Sequence, residues 1–139
     1  MKTTTAALIR ELERRQLKYD CEERESRSDV VSLKFTGENL PGSIIKVFLG
    51  ESGMDLTVAC FSLVKVPQPK RVEMLELLNE VMDNYRWLKL YLDSDSEVTS
   101  QVDAIVDDRI AGIVGAELIL RTVNILDNIY PRIMKIMWS

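Results

Sequence analysis

The sequence predicts an α+β protein in which an antiparallel sheet packs against helices. Hydrophobic residues recur every two positions in some segments and at helical spacing in others, and no strand–helix–strand series with a glycine-rich turn occurs. The predicted order is helix, three strands, helix, two strands, helix, within one domain over residues 1–139. A chain of this length buries roughly 68–70% of its unfolded surface, so it needs no metal or disulfide to fold.

The first half of the chain contains one predicted helix and three predicted strands. The helix covers residues 4–17, and residues 19–24 carry a weaker, charged strand pattern. Alternating apolar residues predict strands at 29–36, 45–49 and 54–66, separated by a turn at 40–43 and a hairpin connection at 50–53. Phe61 and Leu63 break the alternation of the third strand, which predicts a bulge or a bend there.

The second half contains two predicted helices on either side of a hairpin. Pro69 suits the first position of a helix whose apolar residues have helical spacing: Met74, Leu77, Leu78, Val81, Met82 and Tyr85. Residues 87–93 and 98–104 alternate around a turn at 93–96 and predict a two-stranded hairpin. The last helix runs from about residue 114 to 137, and Pro131 inside it predicts a kink or a split.

Composition argues against several kinds of chemistry. The chain has no histidine, the commonest general base and metal ligand, and its two cysteines, Cys21 and Cys60, lack C-x-x-C spacing. The net charge of −4 argues against nucleic acid as a partner, since such binding needs basic residues. No stretch approaches the ~18 apolar residues of a membrane span, and the N-terminus lacks a signal-peptide core. The sequence therefore predicts a cytoplasmic protein without membrane contact.

Two acidic clusters have structural interpretations. Asp93, Asp95 and Glu97 are spaced like the start of a calcium loop, but Val98 and Ala104 stand where glycine and glutamate are required. A hairpin turn is therefore favoured. Asp107 and the adjacent Asp108 favour capping of the last helix over an acid–base pair. The sequence predicts no catalytic residue, no metal site and no cofactor.

Exposed side chains provide the candidate interaction surfaces. The apolar arc of the last helix is wider than the roughly 100° that docking on a sheet requires, and residues beyond it either pack under the first helix or contact a partner. On the strand after the second helix, aromatic and basic residues alternate with leucines, and either a partner or one of the chain's own helices covers them. These candidates are Leu120, Met134 and Trp138 on the helix, and Trp87, Lys89 and Tyr91 on the strand.

Four segments resemble a known family. The segments are Val66–Arg71 (VPQPKR), Leu75–Asn79 (LELLN), Leu90–Asp93 (LYLD) and Asp127–Pro131 (DNIYP), within roughly residues 30–138. They resemble the YbjN-like family, labelled a "putative bacterial sensory transduction regulator", which shares its fold with the type III secretion chaperones. The resemblance implies a non-enzymatic protein, often dimeric, that binds polypeptides or a ligand. Members of this family often carry a second asparagine three positions after the one that corresponds to Asn79. This chain has Met82 at that position.

Two function hypotheses remain open. The first is a chaperone-like or regulatory protein-interaction module that forms a homodimer and binds a protein partner. The alternative is a small-molecule sensor with a pocket between sheet and helices, in which Asn79, Tyr91 and Trp87 are the first candidate ligand contacts. An enzyme is disfavoured because no histidine is available for proton transfer.

Overall fold

The computed structural model describes residues 1–139 as a six-stranded antiparallel sheet with three helices. The helices are α1 (Thr3–Arg14), α2 (Arg71–Asn84) and α3 (Ala111–Trp138). The strands are β1 (Asp20–Glu22), β2 (Asp29–Phe35), β3 (Ser43–Leu49), β4 (Asp55–Cys60), β5 (Lys89–Leu92) and β6 (Val98–Ile105). Their order in the sheet is β1-β2-β3-β4-β6-β5. The α+β prediction is confirmed, and the charged segment after α1 adds a short edge strand to the predicted order.

The strand register aligns one buried valine from each of the four central strands on the same face of the sheet. Val31 pairs with Val47, Val47 with Val58, and Val58 with Val102, and all four side chains are buried. The helices lie on this face: α2 packs against β5, α3 against β4 and β6, and α1 against α3. We call it the covered face. The opposite face, called the open face, has no helix against it, so the three helices do not cover both sides of the sheet.

The third predicted strand ends earlier than its pattern indicates. β4 stops at Cys60, and Ser62 has a φ of 56°, which bends the chain. After the bend, the N–H of Leu63 donates to the carbonyl of Val98 at 2.8 Å, and the N–H of Val98 donates to the carbonyl of Val64 at 2.9 Å. The predicted bend is therefore confirmed, while the predicted continuation of the strand to residue 66 is wrong.

The last helix continues through its proline. α3 is a single helix of 28 residues with Pro131 inside it, so the predicted split does not occur. Pro131 lies on the exposed side, while Ile125 and Ile129 before it and Ile133 after it are buried in the core. Packing on both sides of the proline keeps the helix continuous although one backbone hydrogen bond is lost.

A buried carboxylate fastens α1 to the sheet. Asp29, on the covered face of β2, accepts hydrogen bonds from the hydroxyl of Thr5 at 2.7 Å, the backbone N–H of Lys2 at 3.1 Å and the Lys2 ammonium at 3.2 Å. Burial by itself raises the pKa of Asp29, but the bonds from Thr5 and Lys2 outweigh it and hold the pKa at about 2. A charge is tolerated here because its oxygens are fully bonded.

A second carboxylate fastens the β2–β3 turn to α3. One oxygen of Asp127 accepts the backbone N–H groups of Asn39 and Leu40, each at 2.8 Å. These backbone bonds lower the pKa of Asp127 despite its partial desolvation. A Cβ on Gly37 would lie 2.2 Å from the same oxygen, so only glycine fits at that position. The first residue of the DNIYP segment thus has a structural role.

Candidate functional site

α2 has two apolar stripes instead of one. The inner stripe, formed by Met74, Leu77, Leu78 and Val81, is buried against the sheet and α3. The outer stripe, formed by Val72, Leu75, Asn79 and Met82, lies along another side of the helix. Val72 is 69% exposed, Leu75 41% and Met82 39%. Met82 shares the helical spacing that predicted α2, but its position on the helix lies outside the buried arc.

The spacing of the outer stripe is that of a helix–helix seam. Its residues follow one another at intervals of three, four and three, as positions a, d, a and d of a heptad do. In such a seam Val72 and Asn79 occupy equivalent positions. A single asparagine there fixes the register of a helix pair at some cost in stability. The geometry therefore suits docking of a second helix, and Asn79 lies where it would contact that helix.

The outer stripe adjoins one edge of the sheet. β5 is an edge strand, so alternate N–H groups have no neighbouring strand to bond. The N–H of Leu90 donates to the sulfur of Met82 at 3.4 Å. Met82 thereby covers part of the β5 edge. The opposite edge, β1, is three residues long and carries Asp20 and Glu22, which discourage addition of a further strand.

The open face combines aromatic rings with lysines. Phe48 and Phe61 meet edge to face, with ring centroids 6.1 Å apart. Lys89 and Tyr91 of β5 also lie on this face: the ammonium of Lys89 is 5.1 Å from the centroid of the Tyr91 ring. The hydroxyl of Tyr91 donates to the side-chain oxygen of Gln101 at 3.1 Å. Tyr91 thus rests on its own sheet and is half-buried without a covering helix.

Trp87 does not share the face of Lys89 and Tyr91, which corrects the sequence prediction. β5 begins at Lys89, and Trp87 has a φ of 79°, a left-handed conformation that interrupts the strand alternation. Its ring lies beside α3, where the guanidinium carbon of Arg121 is 5.8 Å from the ring centroid. The side chain is 60% exposed. The predicted three-residue surface is therefore divided between two sides of the molecule.

The three candidates on α3 also lie apart. Leu120 and Met134 are half-buried, Met134 packs against the core, and Trp138 is 81% exposed. Leu120 and Met134 are fourteen positions apart, about 21 Å along a helix. Asp127 lies midway between them on the same line, where it holds the β2–β3 turn. The turn therefore separates Leu120 from Met134, and the three residues form no continuous surface.

The pocket expected for a small-molecule sensor is not formed by its predicted residues. Asn79 lies on the outer stripe of α2, Tyr91 on the open face of the sheet, and Trp87 beside α3. A cleft does exist next to Trp87, but neither Asn79 nor Tyr91 lines it. These three side chains therefore cannot contact one small ligand together.

The acidic clusters are held by local hydrogen bonds. One oxygen of Asp93 accepts the N–H groups of Asp95 at 2.9 Å and Glu97 at 3.1 Å, and the other accepts the hydroxyl of Thr99 at 2.9 Å. The backbone bond from Glu97 contributes most to the lowered pKa of Asp93. Asp107 likewise accepts the N–H groups that lead into α3. Asp93 therefore stabilises the predicted hairpin turn. Asp107 stabilises the turn that precedes α3, while the N-cap position of the helix, Ile110, makes no side-chain capping bond.

The fold and these surfaces define an α+β protein with a sheet covered on one face and apolar side chains exposed outside its core. The chain belongs to the YbjN family, described as "Putative bacterial sensory transduction regulator", whose model matches residues 5–126. The match begins earlier than residue 30 and ends before the DNIYP segment. No curated protein and no solved structure matches the chain. None of its helices has both the length and the apolar character needed to span a membrane.

Proposed function

We propose that the chain is a non-catalytic regulatory protein that acts by binding other polypeptides, and that it forms a homodimer through the outer stripe of α2. The observation that carries the proposal is the exposed heptad spacing of Val72, Leu75, Asn79 and Met82. A two-fold axis beside α2 brings the same stripe of two copies together, as an isologous interface requires. The family description supports a regulatory role.

The size of the stripe sets the expected strength of the dimer. Two copies contribute six apolar side chains, and full burial of one such side chain stabilises by about 1.5–3 kcal/mol. These side chains are already partly buried, so each contributes less than this. Association costs at least ~4 kcal/mol in lost rotational and translational freedom. The expected dimer therefore dissociates in the micromolar range or more weakly.

The chemistry of the side chains supports a non-catalytic role. Burial raises the pKa of the Cys60 thiol to about 11, so it is not a ready nucleophile. Asp93 and Asp107 already accept hydrogen bonds from their own turns. Cys21 and Cys60 are both free thiols, which fits the cytoplasmic location that we propose.

A polypeptide partner of a regulatory or chaperone-like kind completes the proposal. The Phe48–Phe61 pair on the open face offers an exposed aromatic contact, since Phe61 is one of the exposed large apolar residues. Addition of a partner strand is less suited to this sheet, because Met82 covers part of one edge and charges flank the other. We therefore propose that a partner docks through side chains.

Sedimentation velocity at concentrations from about 1 μM to about 1 mM tests the dimer, because this range extends above the expected dissociation constant. We expect the wild-type chain to shift from monomer to dimer and Leu75→Glu to remain monomeric, since a charge in the seam loses its hydration on pairing. Ile113→Glu is the matched control, because Ile113 is also an exposed apolar residue but lies on α3. A wild-type chain that stays monomeric throughout the range contradicts the proposal. Loss of the dimer in Ile113→Glu alone places the interface elsewhere.

A further inference from the structure

A cleft lies between the segment after α2 and the outer side of α3. Its volume is about 280 Å³. Side chains that can donate hydrogen bonds or stack on a ring line it: Tyr85, Arg86, Trp87, Arg121, Asn124 and Asn128. The buried side chain of Ile125 also contributes to the lining. Most of the lining is therefore polar or aromatic, and Ile125 adds an aliphatic contact.

Positive charge and unused hydrogen-bond donors characterise the cleft. Two arginines and no acidic residue line it, although the whole chain has a net charge of −4. Arg121 makes only an exposed ion pair with Glu117 at 3.6 Å, and Arg86 makes none. The amides of Asn124 and Asn128, one helical turn apart on α3, make no side-chain hydrogen bond within the chain. These donors match a ligand that carries negative charge.

The backbone at Trp87 is held in an unfavourable conformation that presents the indole to this cleft. Five non-glycine residues have positive φ, and Trp87, at 79°, is the only aromatic one. For a bulky residue such a conformation is strained. It places the ring beside Arg121 while leaving 60% of the side chain exposed. An exposed indole next to arginines is a stacking surface for a second planar group.

We propose that this cleft binds a small anion that carries a planar aromatic ring, such as a mononucleotide. The ring stacks on Trp87, and the anionic group accepts hydrogen bonds from Arg86 and Arg121, with the amides of Asn124 and Asn128 beside them. A volume of about 280 Å³ is slightly smaller than the roughly 300 Å³ at which small-molecule sites begin, so part of the ligand stays in solvent. The site lies apart from the outer stripe of α2, so it stands or falls independently of the dimer.

Titration of the chain with three probes tests the site. The chain has two tryptophans, so Trp138→Phe leaves Trp87 as the only indole reporter. We expect adenosine 5′-monophosphate to change the fluorescence saturably, and adenosine or inorganic phosphate to bind at least about tenfold more weakly, a difference of ~1.4 kcal/mol. Absence of saturation at millimolar concentration overturns the proposal. Equal binding of phosphate or of adenosine overturns it too, because one of the two contacts then contributes nothing.

Three variants separate binding from folding. Arg121→Ala is expected to weaken binding of the mononucleotide about tenfold, whereas Arg10→Ala, an equal change of charge on α1, leaves it unchanged. Trp87→Gly is expected to abolish binding, measured by saturation-transfer NMR, while keeping or raising the melting temperature, because glycine adopts this φ without strain. Unchanged affinity in Arg121→Ala, or retained binding in Trp87→Gly, overturns the proposal.

Discussion

The inner and outer stripes of α2 are similar in composition and differ in their surroundings. Leu78 of the inner stripe is buried against the core, whereas Leu75, three positions earlier, is 41% exposed. Both stripes have helical spacing, so the pattern of apolar residues does not distinguish them. This helix therefore has more apolar surface than its own sheet covers. Inner residues should control stability, and outer residues should control association.

The largest expected effect comes from truncating the inner stripe. Leu78→Ala should lower the free energy of unfolding by about 2–5 kcal/mol, since it leaves a cavity in the core. Leu75→Ala is the matched control and should cost much less in the monomer. Urea denaturation at low protein concentration measures both. Equal losses in the two variants would show that the distinction between the stripes is wrong.

A smaller effect is expected at the buried carboxylate on the covered face. Asp29→Asn should lower the free energy of unfolding by about 1–3 kcal/mol at neutral pH, because partners of the carboxylate lose a charged acceptor. The folded-state pKa of about 2 lies below the ordinary aspartate pKa of 3.8, so the carboxylate stabilises the fold above about pH 4. That contribution is lost as the pH falls towards 2.

The difference between wild type and Asp29→Asn therefore shrinks over this pH range. Unfolding curves measured from pH 5 to pH 2 give the two stabilities at each pH. Glu25→Gln is the control, since Glu25 is an exposed carboxylate in the loop before β2. A constant difference between wild type and Asp29→Asn down to pH 2 would show that the charge of Asp29 is not what fastens α1.

The smallest effect is expected at the polar position of the outer stripe. Asn79→Leu should tighten self-association several-fold and leave the stability of the monomer nearly unchanged, because asparagine at such a position costs stability in return for a fixed register. Sedimentation velocity measures the association. Weaker association in Asn79→Leu would mean that the Asn79 amide makes a favourable contact instead of only setting the register.

Element type was largely predictable from the sequence, and element ends were not. The inner-stripe spacing predicted α2, and alternation predicted β2, β3, β5 and β6, since these periods follow from backbone geometry. Pro131 predicted a split that packing overrides. Trp87 was predicted to lie on a strand face, because the residues around it in the sequence give no indication of a left-handed φ.

The candidate surfaces were predicted only in part. Lys89 and Tyr91 do share an open face, and Asn79 was singled out, but Val72 and Leu75 of the same stripe were not. The signal that identifies Val72 and Leu75 is their separation from Asn79 and Met82 by alternating intervals of three and four positions. Arg121 and Asn124 are exposed on α3, and nothing in the sequence around them indicates that Trp87 lies beside them.

The α+β class, the apolar periods of the helices and strands, and the turn at Asp93 all follow from the amino-acid order alone. Three features depend on packing between distant parts of the chain: all helices lie on one face of the sheet, Met82 is outside the core, and Trp87 meets α3. Periodicity shows only which residues share a face of one element. Which face meets another element depends on contacts between residues far apart in the chain.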